Sequence, residues 1–416
     1  MMADANPPGD VRMRGFTHRV TVAAARHWLE QQIQPLPAET ISHRDAYRRV
    51  LSAPVRARWS VPEFARSAMD GYALRGEETT GASSYQPIPF RIVGQSLPGA
   101  PCSTSVQRGE CVRIMTGAPI PDGCDTVLPV EVTQEAGGIM EALDTVPVGR
   151  HIGLVGEDVL AGTEILPAGR WLRPQDLGLL AAVGVTDLPV YRRPRVRILI
   201  TGNELVPPGH SKGPYQIVDS NSDMLRALIQ RDGGQVESLQ RLNDDRELIR
   251  AALLHPGADL ILCSGGSSVG MEDHAPAIMA AEGELPVHGI AMRPSSPAGM
   301  GRIGTALVFL LPGNPVSCLC AYDFFAGRAV RGLGGLSTEW PYRQITARLN
   351  RKLVSAVGRV DYARVRITAA GVEPLAISGA SILSSTTRAD GFVIVPEELE
   401  GYPPESEVAV YLYENS

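Results

Sequence analysis

The sequence predicts a multidomain α/β plus β protein, and three observations carry that prediction. Between about residues 195 and 315, apolar strand runs alternate with amphipathic helical runs, the pattern of a parallel sheet with right-handed crossovers. Short strand runs broken by Gly and Pro fill residues 41–149 and return after about Leu336. The chain has 416 residues, well beyond the ~250–300 at which a single core stops growing.

Taken in order, residues 1–14 are polar, with Pro7, Pro8 and Gly9, and predict a disordered tail without the apolar stretch of a signal peptide. Thr21–Ile33 predicts a helix. Thr21 can cap it, Val22, Ala25, Leu29 and Ile33 share a face, and Pro35 and Pro37 end it. Strands are expected at Phe90–Val93, Cys111–Met115 and Thr126–Pro129. Gln175–Gly184 predicts a second helix with Leu177, Leu180 and Ala181 on one face. Packed beside the first, it gives a two-segment helical domain (15–40 and 150–191) with the β-rich 41–149 inserted.

From Arg195 the period changes. Val196–Ile200, Val236–Leu242, Leu260–Cys263 and Ala306–Leu311 predict strands, and Ser222–Arg231 and Asp245–His255 predict helices. This α/β domain is assigned to 192–335. Gln344–Leu349, Ala363–Thr368, Gly391–Val395 and Val408–Leu412 predict a C-terminal β-domain over 336–416.

Composition narrows the function. Lys plus Arg number 39 against 45 Asp plus Glu, a net charge of −6, which argues against bulk binding to nucleic acid or an anionic membrane. No run approaches the roughly 20 apolar residues of a membrane helix, so a cytoplasmic protein is expected. The six cysteines form no CxxC pair and no HExxH occurs, so neither zinc nor a disulfide framework is expected.

In an open parallel sheet, ligands collect where strand carboxyl ends meet loops. Three such loops are rich in Gly and Ser: Thr201-Gly202-Asn203-Glu204, Ser264–Gly270, and Pro312-Gly313-Asn314-Pro315-Val316-Ser317. Gly lets backbone N–H groups approach an anion closely, so a phosphate-bearing ligand is expected. None of the three loops reads as GxxxxGK[ST] or as GxGxxG. Glu204, Asp219, Asp244 and Asp273 sit beside these loops. They fit Mg²⁺ bridging to phosphate, or helix-start carboxylates, with Asp273 capping the helix that begins near His274. In the β-rich region, Asp70-Gly71 reads as a hairpin turn.

Six strings together resemble one family. SAMDGYA, RIMTGAP, GED, TGNEL, SGGSSVG and PGNPVS stand in the order and spacing of the molybdopterin molybdenumtransferases, which include bacterial MoeA and the gephyrin E domain. The resemblance spans about residues 20–415. It implies a small helical domain, an elongated β-rich inserted domain, a central parallel α/β molybdopterin-binding domain and a C-terminal β-barrel-like domain. It also implies a homodimer, with the active site between the α/β domain of one protomer and the β-domain of the other. The implied reaction inserts molybdate into adenylylated molybdopterin, with Mg²⁺ assisting and AMP leaving. Other molybdenum-cofactor biosynthesis proteins are implied partners.

By motif, the resemblance implies catalytic roles for Asp70, Thr116 and Asp158 on the partner's side, and for Glu204, Asp244 and Asp273 in the α/β domain. Glu204 and Asp273 are the implied Mg²⁺ ligands. Thr201, Gly202, Asn203, Ser264, Gly265, Gly266, Ser268, Gly270, Pro312, Gly313 and Asn314 are implied to hold pterin or phosphate. Arg293, Ser296, Ser317, Arg364 and Ser384 match the molybdate pocket, Arg364 through a string similar to the family's GR-x-(D/E)-(F/Y)-x-R.

The chain departs from the family at one string. Where relatives carry a KPGKP-like segment, this sequence reads Arg293-Pro294-Ser295-Ser296-Pro297. The first lysine becomes a guanidinium and the second becomes uncharged. Losing a charge-assisted hydrogen bond costs about 1.5–3 kcal/mol. Asn203 also replaces the Asp of TGDEL. Two expectations follow: an insertion enzyme with an altered anion pocket, or a divergent paralogue that binds the pterin nucleotide, or serves as a scaffold, without efficient insertion. Tungstate is an alternative oxyanion.

Overall fold

The computed structural model describes residues 19–266, 273–376 and 379–413. The expected tail at 1–14 lies outside them. Two compact units form, one from Thr40 to Pro189 and one from the chain before and after it.

The Thr40–Pro189 unit is built on a six-stranded sheet. In spatial order its strands are Thr126–Pro129, Gly71–Leu74, Glu110–Ile114, Ile88–Ser96, Ile139–Ala142 and Thr133–Ala136. Only Ile88–Ser96 with Glu110–Ile114 is parallel. Leu74, Phe90, Leu128 and Met140 pack one face. Of the face expected on the unit's helix, Pro174–Ala182, Leu180 is buried and Leu177 half-buried, whereas Ala181 is exposed and Asp176 is buried as well. Asp176 is tolerated there because Arg170 and Arg173 pair with it and the Arg173 N–H donates to it at 2.9 Å. A hydrophobic periodicity cannot reveal a carboxylate clamped by two guanidiniums.

The second unit begins with helix Val22–Gln32, where the Thr21 hydroxyl accepts from Ala24 N at 3.1 Å, as its sequence predicts. Its central sheet has six strands: β1 (Arg195–Thr201), β2 (Gln235–Leu242), β3 (Leu260–Ser264), β4 (Glu284–His288), β5 (Gly299–Ile303) and β6 (Ala306–Leu311). The order is β2-β1-β3-β6-β5-β4. The pairs β1–β2, β1–β3 and β3–β6 are parallel, whereas β5–β6 and β4–β5 are antiparallel. That antiparallel edge is not foreseen, because Pro286, Gly299 and Gly301 weaken its strand signal. After β6, helical turns run from Pro315 to Leu333, and every residue from Val316 onward is buried.

The C-terminal sheet, Arg343–Arg348, Val360–Thr368, Gly371–Ala376, Gly391–Val395 and Glu407–Leu412, takes one more strand, Met292–Arg293, from the loop after β4. One hydrophobic core joins this sheet to β1, β3 and β6. Phe324, Trp340 and Phe392 meet edge to face across the join, with centroids 5.1 and 5.5 Å apart. Among the described residues no helix is long and apolar enough to cross a membrane.

Candidate functional site

The parallel strands β1, β3 and β6 end at Thr201, Ser264 and Leu311 on one edge of the sheet, so their loops converge. They frame a cleft of about 990 Å³. Thr201, Gly202, Glu204, Asp244, Ser264, Gly265, Gly266, Asp273, Pro312, Gly313 and Asn314 all line it. Ser268 and Gly270 lie outside the described residues. Gly265 has φ +94°, and a Cβ there would lie 2.2 Å from the Thr201 carbonyl oxygen, so no side chain fits the turn.

Asn203 is exposed and is not among the lining residues, although its neighbours Gly202 and Glu204 are. Its amide oxygen accepts from Asp244 N, and its own N–H donates to Asp244 Oδ2, both at 3.1 Å. The residue therefore fixes the Asp244 loop. Asp273 occupies the N-cap position of helix His274–Glu282 but makes no side-chain capping bond.

Sequence reasoning missed Asn221. It begins helix Asn221–Arg231, is 6% exposed, and donates from Nδ2 to Ser264 Oγ at 2.9 Å and to the Gly313 carbonyl at 2.8 Å. It ties two loops of the cleft together. The string Asp219-Ser220-Asn221-Ser222, a run of capping residues at a helix start, was the available signal. Ser264 Oγ in turn donates to Cys318 Sγ at 3.7 Å, so this hydroxyl is occupied within the protein. The buried atoms without a hydrogen-bond partner on the wall are Thr201 Oγ1 and Asn221 Oδ1. Burial pushes the Cys263 and Cys318 thiols up to about 12, which makes them poor nucleophiles.

A second cleft of about 800 Å³ opens beside the first and shares Pro297, Pro312 and Asn314 with it. Arg293, Ser296 and Ser317 line it. Arg364 and Ser384 do not. Arg364 is buried on strand Val360–Thr368, where desolvation lowers its pKa, and Ser384 is exposed at the start of a short helix. Arg293 is not a free cation, because its guanidinium pairs with the fully buried Asp361. Ser295, where relatives carry Gly, sits at φ +91° and donates to the Ser317 carbonyl at 2.5 Å.

The two clefts have opposite character. Glu204, Asp219, Asp244 and Asp273 line the first, which has no Arg, Lys or His among its described lining residues. Arg241 offsets Asp219 at 2.6 Å, leaving three carboxylates. Arg19, Arg293 and Arg359 line the second, which has no Asp or Glu among its described lining residues. The donors in the first cleft are hard oxygens, the set Mg²⁺ takes. Among the described residues no cluster of three His, Cys, Asp or Glu is preformed.

In the Thr40–Pro189 unit two of the predicted strings, SAMDGYA and RIMTGAP, meet. Ser67 exchanges hydrogen bonds with Gly117 N (2.8 Å) and the Ala118 carbonyl (2.9 Å), and Ala68 N donates to the His151 carbonyl at 2.9 Å. The hairpin expected at Asp70-Gly71 does not form. Gly71 instead opens a central strand so close to its neighbour that a Cβ would lie 2.0 Å from the Leu128 carbonyl oxygen. Asp70 Oδ1 accepts from Thr116 N at 2.7 Å and Thr116 Oγ1 at 2.8 Å. These bonds, the backbone one first, lower the Asp70 pKa. Asp158 is exposed, and its backbone N–H donates to the Val61 carbonyl at 3.1 Å.

Three family profiles match the chain: the MoeA N-terminal region (domain I and II) over residues 20–184, a probable molybdopterin binding domain over 197–331, and the MoeA C-terminal region (domain IV) over 346–413. The chain is 37% identical over 334 residues to molybdopterin molybdenumtransferase 2 of Mycobacterium tuberculosis, covering 78% of this chain and 82% of that protein. It is 32% identical over 381 residues to the molybdopterin molybdenumtransferase of Haemophilus influenzae, covering 89% and 92%. The crystal structure of the molybdopterin biosynthesis MoeA protein from Pyrococcus horikosii superposes with a TM-score of 0.82 at 29% identity, covering 96% of this chain and 100% of that one.

Proposed function

The chain belongs to the MoeA family, and from that premise we propose that it is a molybdopterin molybdenumtransferase of molybdenum cofactor biosynthesis. It joins molybdate to adenylylated molybdopterin and releases AMP. The observation that carries this reading is the meeting of a carboxylate-lined cleft and a guanidinium-lined cleft at Pro297, Pro312 and Asn314. A reaction between two anions needs each neutralised and both held adjacent, and positioning of this kind supplies much of a barrier reduction.

In this reading the first cleft takes the pterin nucleotide. Thr201 Oγ1 and Asn221 Oδ1, buried without partners, offer a donor and an acceptor to it. Glu204 and Asp273 hold Mg²⁺, with Asp244 beside them. When bound, Mg²⁺ neutralises the phosphate and polarises its oxygens. The second cleft takes the tetrahedral oxyanion, oriented by Arg293 and the Ser296 hydroxyl. Asp70, kept ionised by Thr116, and Asp158 act in a homodimer, from the second copy.

A second reading has its own observation. Arg293 is spent partly on Asp361, and Ser296 brings no charge. This favours nucleotide binding with weak insertion. The test is activation of an apo-molybdoenzyme by the protein with adenylylated molybdopterin, Mg²⁺ and molybdate. Activation by the wild type supports the transferase. Activation only after Ser296→Lys supports the second reading, and none with either variant sinks the transferase.

A further inference from the structure

The second cleft holds a cation whose role the family motifs leave unassigned. Arg359 lines its wall with Arg293, and Asp361 lies behind both. The backbone brings them together: Met292–Arg293 pairs in parallel with Val360–Asp361, so Arg293 and Asp361 are register partners. The Asp361 side chain is fully buried. It accepts from Arg293 and from Ser355 Oγ at 2.7 Å, and its Oδ1 lies 3.3 Å from Arg359 Nε. One carboxylate thus faces two guanidiniums, leaving a net charge of +1.

Each guanidinium has five N–H donors in a planar fork, and a carboxylate has about four acceptor positions, one of them taken by Ser355. Donors therefore remain on both arginines. Their side chains are 30% and 36% exposed, so those donors reach the cleft. Ser296 Oγ, buried and without a hydrogen-bond partner, adds a hydroxyl to the same wall. The Arg293 fork is hydrogen-bonded to the buried carboxylate and the Arg359 fork stands beside it as an ion pair, so the two together form a receptor for a tetrahedral dianion, a geometry that lysine ammoniums do not provide.

We propose that Arg359 is a second oxyanion-binding residue of this chain, and that Asp361 is the positioning residue that aims Arg359 and Arg293 into the second cleft. The inference rests on the functional reading above only for the identity of the anion.

The test is calorimetric titration of the full-length protein with molybdate, tungstate, sulfate and phosphate. Arg359→Ala lowers affinity for the preferred oxyanion about tenfold or more, and Arg359→Lys recovers part of it. Thermal midpoint and binding of adenylylated molybdopterin, read in the other cleft, stay at wild-type values in both variants. Asp361→Asn removes a negative charge yet weakens anion binding, because the forks lose their anchor; tighter binding would overturn its positioning role. If the wild type binds sulfate or phosphate but ignores molybdate and tungstate, the transferase reading fails, and the clamp stands provided Arg359→Ala weakens that binding. Unchanged affinity in Arg359→Ala, or no oxyanion binding by the wild type, overturns the clamp.

Discussion

One carboxylate oxygen of Asp70 receives both the backbone N–H and the hydroxyl of Thr116, which lies 46 positions further along the chain. The two donors hold an exposed carboxylate in its ionised form and fix its direction. Because the folded-state pKa is lowered, the contribution is present above the ordinary carboxylate pKa. It is lost as pH falls through the lowered value. Carboxyl-carbon NMR should show Asp70 titrating below the usual ~3.9. In Thr116→Val the value rises only part of the way, since the backbone donor remains. Identical titration in both proteins would contradict this pairing.

The proposal that Asp70 acts in a site completed by a second copy has a genetic signature. Asp70→Asn and Asp273→Asn should each lose most activity alone. Co-expressed, they should recover part of it, because a mixed dimer assembles one site with both residues intact. AMP release by purified mixtures checks this, and no recovery above either single variant would place both residues in sites of one chain.

Asn221 bridges Ser264 and the Gly313 carbonyl from a buried position. Asn221→Ala should cost about 1–3 kcal/mol, since it strips a buried carbonyl and a hydroxyl of their donor. Denaturant unfolding measures the loss. A change below about 0.5 kcal/mol, the ordinary scatter of surface substitutions, would mean the loops are held by other contacts.

On the proposed reading, the carboxylate-lined cleft takes its nucleotide together with a cation. Binding of adenylylated molybdopterin should require Mg²⁺ and fall at least tenfold with chelator, as phosphate then meets Glu204, Asp244 and Asp273 unscreened. Fluorescence titration with and without chelator decides it. Equal affinity would remove Glu204 and Asp273 as metal holders.

Thiol reactivity provides a check on burial. Cys111, Cys263, Cys318 and Cys320 are buried, and Cys263 and Cys318 are pushed up to about 12. Iodoacetamide at pH 8 should label the partly exposed Cys102 first and spare those four until denaturant is added. Rapid native labelling of Cys263 or Cys318 would show that the loops above them open.

Much of this was legible before any coordinates. The strands Ala306–Leu311, Thr126–Pro129 and Gly391–Val395 were marked by apolar runs between Gly and Pro, and β1, β3 and β6 followed from the alternation of periods. The convergence of three Gly-rich loops followed from parallel topology alone. What stayed hidden was pairwise and non-local. Asp176 inside a helix face, Asn221 across two loops, and Asp361 behind Arg293 each depend on a partner that periodicity does not report. Arg364 and Ser384 share a string match with the molybdate pocket, yet one is buried, the other is exposed, and neither is among the lining residues of the second cleft. A motif fixes residue type and order, whereas the sheet register decides which side chains reach a common wall.

The most direct test of the central claim is AMP release from adenylylated molybdopterin by the wild-type protein with Mg²⁺, measured with and without molybdate. Two adjoining clefts of opposite charge predict release that depends on molybdate. Tight nucleotide binding with no molybdate-dependent release would contradict the account, leaving a protein that holds the nucleotide but does not carry out the insertion.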